Sequence, residues 1–260
     1  MAARAPLLRM CKVTKWFGGV AAVEAVSFDV YPGQITAVIG PNGAGKTTLF
    51  NLITAILPLT SGRIFLENTE ITGMKAPQIA RLGITRTFQN LQIFGNMSVV
   101  ENVMTGAHTQ LKTGMIRSAF RPPTVSREER RTHENALKLL ENVGLLEYAY
   151  EEADKLPYGN QRLLEIARAA ASAPKLILLD EPMAGLNPQE SKKLVTTIER
   201  MRAEGLTFLF VEHDMETVMS MADHIVVLDF GKNIGEGTPE EIYNNPAVIA
   251  AYLGDEEIAL

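Results

Sequence analysis

Cysteine, long apolar runs and a surplus of positive charge are all scarce in this 260-residue sequence. One cysteine, Cys11, excludes an internal disulfide and fits a reducing compartment. No apolar run approaches the roughly 18 residues of a membrane-spanning helix. The stretch from Leu52 to Leu59 is short and is interrupted at Pro58. Met1 to Arg9 lacks the apolar centre of a secretory signal. A net charge of −5 lacks the basic footprint of nucleic-acid binders, so no nucleic-acid partner is expected. Repeats and low-complexity tracts are missing too. What is present is a hydrophobic content of 46%, enough for the core of one large domain or of a domain with an inserted lobe.

One stretch carries a definite chemistry: Gly40-Pro41-Asn42-Gly43-Ala44-Gly45-Lys46-Thr47. An apolar run, Ile35 to Ile39, precedes it and reads as a buried strand. Thr48 to Ile53 follows and reads as the start of a helix running from 46 to 56. Strand, glycine-rich loop and helix are the context in which this pattern makes a phosphate cradle. The glycines let successive N–H groups turn toward one point. The helix N-terminus adds roughly half a positive charge there. Lys46 suits the β- and γ-phosphates, and the Thr47 hydroxyl suits Mg²⁺.

The rest of the chain alternates strands and helices. Leu7 to Val13 and Ala25 to Val30 read as N-terminal strands, Arg63 to Glu67 as a short strand and Ile84 to Phe88 as a strand leading to Gln89. Between Asn90 and Lys155 helical patterns dominate. A capping box, Ser126-Arg127-Glu128-Glu129, predicts a helix from there to Val143. Leu156 to Gln161 reads as a loop before a helix over 161–171. Leu176 to Asp180 reads as a buried parallel strand ending in Asp180 and Glu181. A helix from Asn187-Pro188, a strand over 207–211, a helix over 215–221 and a strand over 224–228 complete the alternation, with an edge strand at 233–237 and two short terminal helices. The pattern predicts an α/β fold of the P-loop NTPase class, with a mostly parallel sheet and flanking helices. An antiparallel β portion stands at its N-terminal end.

In open parallel sheets ligands sit at the carboxyl ends of strands. The phosphate loop, Gln89, Asp180, Glu181 and His213 all follow predicted strands. Asp180 suits Mg²⁺ together with Thr47. Glu181 is placed to act as general base on the attacking water, and His213 to touch the γ-phosphate. Taken alone, a histidine is more often structural, and two acids at a strand end are often ordinary loop charges. Their order within one chain is what points to chemistry.

From Leu7 to about Leu253 the chain resembles the ATP-binding subunits of ABC transporters. GPNGAGKTT at 40–48 is similar to Walker A, Gln89 to the Q-loop residue, LILLDEP at 176–182 to Walker B, AGLN at 184–187 to the D-loop, and His213 to the switch histidine. The resemblance implies ATP and Mg²⁺ as cofactors. It implies Gly40, Pro41, Asn42, Gly43, Ala44, Gly45, Lys46, Thr47 and Thr48 as nucleotide contacts. Glu181, His213 and Gln89 are the implied catalytic residues, and Thr47, Gln89 and Asp180 the implied metal contacts. It places Phe17 at the adenine-stacking position, where the neighbouring Trp16 could substitute. It divides the single domain into a core of 1–89 and 156–260 and an inserted helical subdomain of 90–155.

LPYGN at 156–160 departs from the usual LSGGQ signature, since Pro157 stands where a serine hydroxyl would meet the partner's γ-phosphate. Gly159 retains its backbone N–H for that contact. LPYG with DEPMAGLNP, Phe17-Gly18-Gly19-Val20 and the RTFQN run at 86–90 resemble the ATPases of branched-chain amino acid importers. The implied partners are membrane permease subunits, a second identical or related ATPase, and indirectly a periplasmic amino-acid-binding protein. The implied place is the cytoplasmic face of the membrane. Leu91, Ile93 and Phe94 are candidates to line the permease groove, with core packing the ordinary default for each. Rival readings are a related ATPase serving urea or lipopolysaccharide transport, a soluble ABC ATPase of iron–sulfur assembly, or a P-loop kinase.

Overall fold

A computed structural model of the chain describes residues 5–110 and 123–256. In chain order its elements are β1 (Leu8–Phe17), β2 (Val20–Val30), β3 (Ile35–Ile39), α1 (Lys46–Ile53), β4 (Ser61–Leu66), β5 (Thr69–Glu70), α2 (Ala76–Leu82) and β6 (Ile84–Arg86). Then come α3 (Val99–Gly106), α4 (Pro123–Asn142), α5 (Tyr158–Ala170), β7 (Leu176–Asp180) and α6 (Pro188–Ala203). The chain continues through β8 (Thr207–Val211), α7 (Met215–Met221), β9 (His224–Asp229), β10 (Lys232–Gly237), α8 (Pro239–Tyr243) and α9 (Pro246–Glu256).

Two sheets result. The smaller has the order β2-β1-β4-β5 and is antiparallel. The larger has the order β10-β9-β3-β8-β7-β6. Its strands run parallel except β10, which pairs antiparallel at the edge. β3, β7 and β8 are buried at every position, as strands covered on both faces must be. Their side chains alternate between two cores. Ile35, Ala37, Ile39, Ile177, Leu179, Phe208 and Phe210 join residues of α3 to α7 on one face. Val38, Leu176, Leu178, Leu209 and Val211 join β1, β2, β4, α1 and α2 on the other. The second sheet therefore covers one face of the first, and helices cover the opposite face.

Several boundaries differ from the sequence pattern: β1 runs on to Phe17 rather than ending at Val13, β2 begins at Val20 rather than Ala25, and β4 spans Ser61–Leu66 rather than Arg63 to Glu67. β6 stops at Arg86 rather than Phe88, although Thr87 still donates its N–H to the Leu178 carbonyl at 2.9 Å. α1 stops at Ile53 rather than at 56, where Ala55 adopts a left-handed φ of 53°. α5 begins at Tyr158 rather than at Gln161: Pro157, extended at φ −53° and ψ 149°, serves as its N-cap. α4 is already helical at Pro123, so the Ser126 capping box does not start it. Residues 111 to 122 lie outside the described residues, so the sequence reading of that part of the chain stands without a structural counterpart.

Candidate active site

The phosphate loop is fitted to glycine by its own surroundings. Gly40 (φ 149°) and Gly45 (φ 101°) take conformations that other residues avoid. A Cβ at Gly40 would lie 2.0 Å from the Leu228 carbonyl oxygen, and one at Gly45 would lie 2.3 Å from that of Ala22. Gly45 is also the N-cap of α1 and offers no side-chain acceptor. The N–H groups of the first turn are thus left without intrahelical partners, which makes an anion site. Asn42, Gly43 and Thr47 are exposed around it, with Pro41 and Thr48 half-buried. The buried Lys46 curls back over the loop and donates from Nζ to the carbonyls of Gly40 (2.7 Å) and Pro41 (2.9 Å). Burial pushes its pKa down, while Glu181 and Asp180 pull it up, so both carboxylates lie within electrostatic reach of the loop.

β7 delivers those carboxylates. Asp180 pairs in register with Val211 of β8 and is buried. Its Oδ2 accepts from Arg86 Nη2 at 2.6 Å. Glu181, the next residue, has φ 47° and hands its N–H to the Val211 carbonyl. A non-glycine residue held in that region stores strain of about 1–3 kcal/mol, a cost met most often where a side chain must be aimed. Glu181 Oε2 accepts from Gln89 Nε2 at 2.8 Å. Gln89 itself is held by the buried Arg162 of α5, which donates to the carbonyls of Phe88 (3.2 Å) and Gln89 (2.6 Å) and to the Tyr158 hydroxyl. Lys46, Asp180, Glu181 and Gln89 are thereby brought to one end of the sheet.

His213 follows β8 with its side chain 64% exposed, its Nδ1 3.7 Å from Glu212 Oε2. Glu212 is buried and accepts from the N–H groups of Met183 (2.9 Å) and His213 (3.3 Å). Burial pushes its pKa up. Glu212, Arg86 and Arg162 escaped the sequence reading. The available signal was a charged residue inside, or at the end of, an otherwise apolar run.

Phe17 and Trp16 end β1, 47% and 44% exposed, so neither is consumed by the core. Gly159 is placed elsewhere. It lies in the first turn of α5, and a Cβ there would stand 2.7 Å from Glu190 Oε1 of α6 in the same chain. Between α2, α3 and α5 runs a groove of about 750 Å³ lined by Ile56, Arg86, Phe88 and Phe94. Phe94 lines it as expected. Ile93 instead packs on the core, and Leu91 does not line it.

A glycine cradle at a helix start, a lysine within it, and an aspartate-glutamate pair at the end of a parallel strand two places away in the sheet define a P-loop nucleoside triphosphatase. The ABC transporter family profile matches residues 23–184. A profile for branched-chain amino acid ATP-binding cassette transporters matches residues 232–258. The high-affinity branched-chain amino acid transport ATP-binding protein LivG of Escherichia coli is 45% identical over 96% of this chain and 98% of its own length. BraF of Pseudomonas aeruginosa, with the same description, is 46% identical over the same shares. The ADP conformation of MJ1267, an ATP-binding cassette of an ABC transporter, has a TM-score of 0.83 at 34% identity, covering 96% of this chain and 99% of that one. The chain belongs to the ATP-binding subunits of ABC transporters, in the branched-chain amino acid group, and is an ATP hydrolase.

Proposed function

We propose that the chain powers uptake of branched-chain amino acids through membrane permease subunits, from the cytoplasmic face of the membrane. The observation that carries this reading is the convergence of the glycine cradle, Asp180, Glu181 and Gln89 in a chain that matches LivG over nearly its whole length. No helix among the described residues is long and apolar enough to cross a membrane, so attachment needs a partner.

The residues fit a nucleotide with Mg²⁺. Among the described residues no group of three or more His, Cys, Asp or Glu could form a protein cage. The donors are instead one hydroxyl, one carboxylate and one amide, Thr47, Asp180 and Gln89. That set suits a cation that keeps waters and shares the phosphates. Thr47, Asp180 and Gln89 would hold Mg²⁺, whose charge would supply neutralisation of the charge developing on the phosphates. Lys46 exchanges the Gly40 and Pro41 carbonyls for phosphate oxygens. Glu181, aimed by its left-handed backbone, takes the proton of the attacking water. Gln89 and His213 orient that water and the γ-phosphate. Phe17 or Trp16 stacks on adenine.

Gly159 and the N-terminal end of α5 would meet the γ-phosphate bound by a second ATPase, identical or related. A permease helix in the groove between α2 and α5 would lie against Phe88 and Phe94. The test is the ATPase rate in proteoliposomes containing the permease. It should rise when leucine-loaded binding protein is added on the far side. A rate that ignores the loaded binding protein overturns the importer reading.

A further inference from the structure

Arg86 is more than a wall of the groove. Its side chain and that of Asp180 are each 6% exposed, and the two meet at 2.6 Å. Nη1 donates to Asn51 Oδ1 of α1, also at 2.6 Å. The guanidinium lies between two rings, 5.5 Å from the Phe50 centroid and 5.1 Å from that of Phe88. Nε is buried without a hydrogen-bond partner, so the fork is not fully committed. Phe50 belongs to the core, but Phe88 is 43% exposed and lines the groove. One side chain thus touches the aspartate, the helix that follows the phosphate loop, and a ring on the docking surface.

We propose that Arg86 is a positioning residue that acts as a resident counter-cation for Asp180. Its guanidinium competes with a divalent cation for the Asp180 carboxylate, and its stacking on Phe88 lets an occupant of the groove change the strength of that competition. The inference rests on the Asp180 role given above. Physically, a buried carboxylate needs one strong positive partner. Arginine satisfies part of that need, which lowers what a second cation gains by arriving. Loosening the arginine raises that gain. A helix pressing on Phe88 bears on the same guanidinium that holds Asp180, which would give the groove a direct line to the metal ligand.

The test uses the full chain and reads equilibrium binding of a fluorescent ADP analogue as Mg²⁺ is titrated, with no turnover involved. Arg86→Met keeps the apolar stem between the two rings and removes the charge. Its Mg²⁺ half-saturation should fall at least about fivefold, within the range over which a neighbouring arginine alters a carboxylate's proton affinity. Its melting temperature should drop without Mg²⁺ and rise more than that of the wild type when Mg²⁺ and ADP are added. Arg86→Lys keeps the charge but not the fork or the ring contacts, so its half-saturation should fall between those of the wild type and Arg86→Met. Phe88→Ala should shift the half-saturation in the same direction as Arg86→Met but less, since Phe50 and Asn51 still hold the guanidinium. If Arg86→Met does not fold, Phe88→Ala decides. An unchanged or raised half-saturation in Arg86→Met overturns the counter-cation role, and an unchanged Phe88→Ala overturns the link to the groove. Wild-type chain that binds no nucleotide at any Mg²⁺ concentration would instead remove the ATPase reading itself.

Discussion

The phosphate loop and the start of α5 are both glycine-bearing entries to helices, yet they are walled in different ways. At the loop the walls are backbone carbonyls of the same chain, those of Leu228 and Ala22, and the lysine closes on the loop's own oxygens. At α5 the wall behind Gly159 is one carboxylate side chain, Glu190, while Pro157 and Tyr158 stand exposed in front. The loop is complete within one chain. The first-turn N–H groups of α5 have no intrahelical partners, and in the function proposed above they form half of a site that a second ATPase completes. A wall of backbone tolerates almost no substitution, whereas a wall of side chain can yield at a cost.

The largest effect should come from the complete half. Glu181→Gln keeps the side chain's size and its contact with Gln89, and it removes the base. Nucleotide affinity should stay within about twofold while turnover falls at least about a hundredfold. Stopped-flow nucleotide binding and steady-state phosphate release check the two parts. Near-normal turnover would mean that the catalytic machinery is not concentrated where the loop and β7 meet.

The next effect tests the incomplete half. Gly159→Asp should abolish cooperative hydrolysis while leaving nucleotide binding to the isolated chain unchanged. The fold will not be indifferent, as a simple dimer argument would have it. The new Cβ meets Glu190, whose Oε2 caps α6 through the Asn187 N–H. A loss of about 1 kcal/mol is expected from that cap, with Glu190→Ala alone as the reference for the folding share. Hydrolysis that stays cooperative in Gly159→Asp, with a melting point matching Glu190→Ala, would make α5 a structural helix only.

A smaller effect concerns the base. Phe17 and Trp16 are successive residues of a strand and face opposite ways. Phe17 shares its side with Lys15, whose Nζ is 5.1 Å from the ring centroid. Alanine at the stacking residue should weaken nucleotide binding by about 1–3 kcal/mol, and alanine at its neighbour by much less. A fluorescence titration of both variants identifies which ring faces the nucleotide.

The sequence made the frame legible because its signals were local. Ile35 to Ile39 and Leu176 to Asp180 are apolar runs, and apolar runs bounded by turns become central strands. The loop between Ile39 and Lys46 carried its own glycine pattern. What stayed hidden was long-range. Arg86 and Asp180 are 94 residues apart, and nothing in either neighbourhood announces their buried ion pair. Pro157 looked like loop material because a proline can punctuate a chain as a turn or as the entry to a helix. The lining of the groove was left open for a related reason. Spacing cannot say that Ile93 turns into the core while Phe88, ahead of it, faces out.

Glu212 stands where the two regions meet. One of its oxygens accepts from Met183, in the turn that leads from Glu181 to the cap of α6, and the other from the N–H of His213. Burial is the main cause of its raised pKa, and the charge of Glu181 adds to it. The two N–H donors and His213 act the other way. Between the ordinary glutamate value and the raised one, the folded chain keeps a proton that the unfolded chain has lost. Stability therefore falls as pH rises through that window, by about 1.4 kcal/mol for each unit of elevation. Glu212→Gln cannot lose a proton and should not follow this fall. Glu165, also raised by burial, contributes equally to both proteins and cancels. Urea midpoints from pH 4 to 8 should show the variant gaining on the wild type as pH rises. A gap that is constant across that range would mean that Glu212 stays as easily ionised as an exposed glutamate, and that the tie between the His213 turn and α6 is not a strained one.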